Sequence, residues 1–160
     1  MALPPHEYAR SALNAELHVQ VAVDRIELPP VTPGNAVVTG HITRVFRGSP
    51  SLHSTPVSFT VEVCREGDDV DPSGTLWTDP ARLEQASVIE VFLNSYPDGF
   101  RNASYDTTLL AAPTDSPTIE YTEEMAQDPD DVPMGGPHRM LLFGFVAAIG
   151  IAVLCWMLVG

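Results

Sequence analysis

The chain predicts a mainly β domain, a Greek-key barrel or sandwich of five to six strands, followed by an acidic linker and one C-terminal transmembrane helix. Three observations carry this. Apolar and polar residues alternate with period two over several stretches between Leu17 and Val63, the pattern of half-buried strands. Clusters of Pro, Gly, Asn and Asp separate those stretches, and almost no amphipathic helix interrupts them. The twenty-one residues Met140 to Gly160 carry no charge, and at about 1.5 Å per residue they match a hydrocarbon core of roughly 30 Å. The predicted organisation is an N-terminal arm over 1–15, a β-domain over 16–112, an acidic, proline-rich linker over 113–139 and a membrane span over 140–160.

Leu17, Val19, Val21 and Val23 alternate with His18, Gln20, Ala22 and Asp24, which predicts the first strand. After Asp24 the phase slips to Ile26 and Leu28, predicting a bulge. Pro29-Pro30 and Thr32-Pro33-Gly34-Asn35 turn the chain into a second strand, Ala36 to Phe46, with a sharp bend or bulge at Gly40. Gly48 and Pro50 end it. Val57, Phe59, Val61 and Val63 place Thr60, Glu62 and Cys64 on the opposite face of a third strand. A polar loop covers 67–80, and a short helical turn follows over Pro80 to Gln85. Ser87 to Asn94 (SVIEVFLN) reads as a continuous apolar strand in the middle of the sheet. Tyr96-Pro97-Asp98-Gly99 is a turn signal, after which Tyr105 to Ala112 predicts the last strand.

The residues of 113–139 include Asp115, Glu120, Glu123, Glu124, Asp128, Asp130 and Asp131 against the single Arg139, with five prolines and Gly135-Gly136. Such composition predicts a solvated tether, because it buries too little to offset the entropy of ordering. The sharper alternative makes Ile119, Tyr121 and Met125 anchors that order the segment along a partner. In the span, Gly144, Ala148 and Ala152 recur every four residues and Cys155 continues their side, a small-residue stripe suited to close packing against another membrane helix. Arg139 and Trp156 mark its two membrane interfaces.

The start of the chain, MALPPHEYARSALNAELHVQ, lacks the basic region and apolar run of a secretory signal. That predicts a tail anchor in a bacterial inner membrane with the N-terminal domain cytoplasmic, the periplasmic side being the alternative. The formal charge is −13, and all eight basic residues are arginines, a usage that fits a GC-rich bacterial genome. Such acidity argues against nucleic acid or anionic lipid headgroups as partners. Cys64 and Cys155 are not expected to pair.

Chemical signatures are weak. Asp69-Val70-Asp71-Pro72-Ser73-Gly74 resembles the first half of a calcium loop, but Pro80 stands where the bidentate Glu should be. His6, His18, His41, His53 and His138 are dispersed, and no nucleophile elbow or phosphate loop is present. No catalytic residue, cofactor or metal is predicted.

A long first strand, then GHITRVFRG, VSFTVEV, a polar loop and SVIEVFLNSYPDG resembles small barrels of the netrin-like or oligonucleotide/oligosaccharide-binding type over residues 16–112. The resemblance implies a small closed or nearly closed barrel. The family's protease inhibition depends on an N-terminal cysteine that this chain lacks, and its nucleic-acid binding on a basic, aromatic platform that the sheet lacks. The expected function is therefore a non-catalytic accessory subunit bracing an integral membrane protein complex, for example a respiratory or photosynthetic assembly. The alternative is a tail-anchored module capturing a peptide or small ligand.

Overall fold

A computed structural model describes residues 3–69, 76–97 and 99–128. The chain divides into two units, Met1–Gln127 and Asp128–Gly160, and the fold that follows is that of the first. The predicted span 140–160, with Gly144, Ala148, Ala152, Cys155 and Trp156, and Arg139 before it, lies outside the described residues. Among the described residues no helix is long and apolar enough to cross a membrane.

The first unit is mainly β, an open antiparallel sheet of five strands: β1 (Leu17–Glu27), β2 (Gly34–Arg47), β3 (Pro56–Val63), β4 (Val88–Tyr96) and β5 (Gly99–Leu110). Their order is β3-β2-β1-β4-β5. β1 lies at the centre, paired with β2 on one side and β4 on the other. The two end strands, β3 and β5, face each other across the opening of the curled sheet, and no ladder joins them among the described residues.

The alternation read in the sequence is the alternation of burial. β3 alternates strictly, with Val57, Phe59, Val61 and Val63 buried and the residues between them exposed. These side chains meet Val19 and Val21 of β1, Val38 and Ile42 of β2, and Ile89, Val91 and Leu93 of β4 in one core. The phase slip after Val23 is a bulge: Val23 faces Gly40 and Arg25 faces Thr39, which leaves Asp24 without an opposite residue. Gly40 sits where the bulged backbone comes closest, since a Cβ there would lie 2.1 Å from the Ala22 carbonyl oxygen.

A short helix, α2 (Pro80–Glu84), connects β3 to β4 and adds Leu83 to the core. The Asp79 side chain caps it, accepting from the Arg82 N–H at 3.0 Å. Just before it, Thr78 bridges to the end of β3, donating to the Glu62 carbonyl and accepting from the Cys64 N–H.

Three elements differ from the sequence expectation. The N-terminal arm contains the first helix of the chain, α1 (Pro5–Asn14). Its proline falls at the first helical turn, where a missing N–H costs nothing. Ala9 and Ala12 are fully buried, and Arg47 of β2 ties down the helix end by donating to the carbonyls of Ala12, Leu13 and Ala15 at 2.9, 2.7 and 2.9 Å. The last strand begins at Gly99 rather than Tyr105, because 99–102 pairs with β4 directly after the turn. Between Asn102 and Thr107, which face Leu93 and Val91 respectively, β5 bulges out of register. The Asn102 side chain spans this bulge, donating to the Thr107 hydroxyl at 3.2 Å and accepting from the Ser104 N–H at 3.2 Å. Third, residues 113–127 group with the β-domain, although the acidic tether was expected to begin at 113.

Candidate functional site

Side chains alternate across a strand, so the residues between the core positions of β1 and β4 point to the opposite face of the sheet. There His18, Gln20, Glu90 and Phe92 lie side by side, because His18 is opposite Phe92 and Gln20 is opposite Glu90 in the β1–β4 ladder. This face is not open to solvent. Gln20 is fully buried and Glu90 is 2 % exposed. The cover is the first part of the acidic segment, Thr114 to Tyr121, which we call the strap.

Glu90 is the fixed point. Its Oε1 accepts from the Thr118 N–H at 3.0 Å and the Ile119 N–H at 3.3 Å, and its Oε2 accepts from the Thr118 N–H at 3.1 Å and from the Thr118 hydroxyl. Gln20 Nε2 donates to Oε2 at 2.8 Å, and His18 Nε2 lies 2.8 Å from Oε1. A carboxylate can only accept, so the neutral His18 ring carries its proton on Nε2. Gln20 adds a second clasp on the strap: its Nε2 donates to the Thr114 hydroxyl at 2.6 Å, and its Oε1 accepts from the Thr114 N–H at 2.9 Å. Among the described residues every buried side-chain polar atom has a partner.

Aromatic packing completes the face. The His18 ring stacks on Phe92 with centroids 4.1 Å apart and meets Phe46 edge-on at 5.1 Å. Tyr121 closes over Phe92 at 5.8 Å, and with Ala12, Ala15 and Ala103 these rings form a small second core. Tyr121, predicted as a partner anchor, thus packs against its own domain. Ile119 is half-buried and binds Glu90 through its backbone, whereas Met125 is half-exposed.

The electrostatics follow from this geometry. Burial opposes a charge on Glu90, but the bonds from Thr118, Gln20 and His18 outweigh it and hold the carboxyl below its ordinary value. Burial lowers the His18 imidazole; the bond to Glu90 and the Glu90 charge pull it upward, Arg47 adds to the lowering, and the net shift is downward. The pair rests as carboxylate and neutral imidazole. Sealed under the strap, the pair joins the strap to the sheet through the Thr118 and Ile119 bonds to Glu90.

A second feature runs along the opening between β3 and β5. A groove of about 300 Å³ is lined by Asn35, Thr60, Glu62, Arg101, Asn102 and Thr107, and another of about 410 Å³ by Val37, Pro56, Phe59 and Phe100 among others. Thr78 takes the Glu62 carbonyl from the outer side of β3, and alternate residues of a strand direct their backbone groups the same way. The N–H and C=O of Ser58 and Thr60 therefore face this opening. Among the described residues no three His, Cys, Asp or Glu side chains converge on a position for a metal ion.

Local pattern exposes only part of this arrangement. His18 and Gln20 stand out as polar alternates in the first strand, but Glu90 is hidden inside SVIEVFLN, which reads as apolar throughout. A single acid in a strand predicted to lie mid-sheet is the signal that could have found it, because a carboxylate there demands donors. No family model matches the chain, and no curated protein or solved structure matches it either.

Proposed function

We propose that this chain is a non-catalytic accessory subunit that braces a bacterial inner-membrane protein complex. Its β-domain sits against the complex outside the bilayer, on the cytoplasmic side, and the apolar segment 140–160 packs into the membrane part through Gly144, Ala148, Ala152 and Cys155. The observation that carries the reading is the strap. A module meant to roam on a tether gains from a free linker, whereas a brace needs its mount fixed, and here the acidic segment is bonded to the sheet at Thr114, Thr118 and Ile119. The strongest titratable cluster is committed to that bond network, which suits a chain with no chemistry of its own.

In the same reading the curled sheet is a partly open Greek-key barrel of five strands, with α2 between β3 and β4 at one end. The alternative, a tethered module that captures a peptide or small ligand, draws support from the grooves beside Ser58 and Thr60. A chain shortened to end before residue 140 distinguishes the two in cells. The brace reading expects the domain to leave the membrane complex and the yield of the intact complex to fall; unchanged complex yield would contradict it.

A further inference from the structure

Three of the donors that satisfy Glu90 belong to the strap: the Thr118 N–H, the Thr118 hydroxyl and the Ile119 N–H. Apart from the Thr114 clasp on Gln20 and the Tyr121 ring on Phe92, what holds residues 114–121 down is one carboxylate. The strap itself buries little, since Asp115, Ser116, Thr118 and Glu120 are exposed. The strands beneath it have their own core on the other face, where Val19, Val21, Ile89 and Val91 are fully buried. Segments with few apolar contacts and a solvent-facing backbone are those that open without global unfolding.

We propose that residues 114–121 form an acid-released latch: the Glu90 carboxylate clamps the strap at neutral pH, and protonation of the Glu90–His18 pair frees it while the sheet stays folded. A protonated carboxyl turns one of its oxygens into a donor, and that proton then faces three groups that can only donate, the Thr118 and Ile119 N–H and Gln20 Nε2, while the Thr118 hydroxyl and His18 Nε2 accept it only by giving up their own bonds to the carboxylate. Protonating His18 instead places a charge in a buried site, at the cost of its hydration. The charged neighbours act in both directions. Arg47 of β2 disfavours the imidazolium, and Glu120 of the strap favours it. Arg44 of β2 pairs with Asp115 at 3.3 Å, a contact too exposed to hold the strap alone. On the helix side, Glu7 pairs with Arg10, and Glu16 accepts from the Ser95 N–H at the end of β4.

Release frees eight residues, which extend to at most about 27 Å. Acidification would thus loosen the mount of the domain. The latch is a property of the β-domain alone, so its failure would leave the accessory-subunit reading standing.

The test uses the full chain in mild detergent micelles, with the backbone amide resonances of Thr118, Ile119 and Tyr121 followed from about pH 7.5 to about pH 2.5, a range that runs below ordinary His and Glu titration because both groups are held down. The expected result is one shared transition of these three amides to solvent-exposed positions while the amides of Val61 and Val91 keep theirs. Glu90→Gln should show the released strap already at neutral pH with no further transition. Should that variant not fold, Thr118→Ala keeps both N–H donors and loses only the hydroxyl. It should favour release roughly tenfold, moving the transition up by about one pH unit. Strap amides that move only together with those of β3 and β4, or a Thr118→Ala transition at the wild-type pH, would overturn the latch.

Discussion

Replacing Glu90 by Ala removes the acceptor shared by Thr118, Ile119, Gln20 and His18 over the outer face of the sheet, and the structure allows the cost to be apportioned. The strap donors of Thr118 and Ile119 can swing out and bond water, so their loss is largely repaid. His18 cannot move: it belongs to the central strand, and its ring is held between Phe92 and Phe46, whereas Gln20 beside it loses one acceptor and keeps the Thr114 hydroxyl. Each buried donor left without a partner costs about 1–3 kcal/mol. The charge-assisted bond that Gln20 loses adds a comparable amount and water reaching His18 as the strap lifts moderates the sum, which places the expected loss at about 2–5 kcal/mol. A single domain of this size is stable by about 5–15 kcal/mol, so the variant should fold with a lowered midpoint. The assay is urea unfolding of the full chain in mild detergent, followed by far-ultraviolet circular dichroism. A loss under about 1 kcal/mol would refute the reasoning, because it would mean that the Glu90 network contributes nothing net to the domain.

Other perturbations test separate parts of the fold. Gly40→Ala puts a methyl 2.1 Å from the Ala22 carbonyl oxygen and 2.8 Å from Val21 Cγ1, so β1 or β2 must shift; destabilisation above about 2 kcal/mol is expected in the same urea assay. Arg47→Met keeps an unbranched apolar stem but removes the guanidinium that lies over Phe92 and strips the three carbonyls at the end of α1 of their donor. Faster hydrogen exchange across Pro5–Asn14, with β3 unchanged, is the expected signature. The pH dependence has a definite sign. Both His18 and Glu90 are held below their ordinary values of 6.5 and 4.5, so the unfolded chain binds more protons than the folded one. Stability should therefore decline as pH falls below 6.5 through His18, and fall further below 4.5 through Glu90. Urea midpoints that rise between neutral pH and pH 5 would contradict that assignment.

Strands are legible in this sequence because their information is local. Val57, Phe59, Val61 and Val63 announce a buried face two residues at a time, and the slip after Asp24 announces its bulge in the same way. The strap is illegible for the opposite reason. Its acids and prolines match a free tether, and what orders it is a carboxylate 28 residues away in sequence that accepts from its backbone. The N-terminal helix is hidden in the sequence because Pro4 and Pro5 read as breakers, although a proline at the first turn is a helix start, and because its small apolar face needs Arg47 and Phe92 to dock. Tyr121 was legible as an anchor but not as one that binds its own domain. Composition tells which side chains seek burial, not against what.

The account turns on whether this domain works as a fixed part of a larger membrane assembly. The direct measurement is to extract native membranes in mild detergent, recover the chain through its N-terminal domain, and determine the mass and subunit ratio of what comes with it. One large complex containing the chain at a fixed ratio is the predicted result. Recovery of the chain by itself, with the complexes of the membrane intact without it, would contradict the account and turn attention to the grooves between β3 and β5.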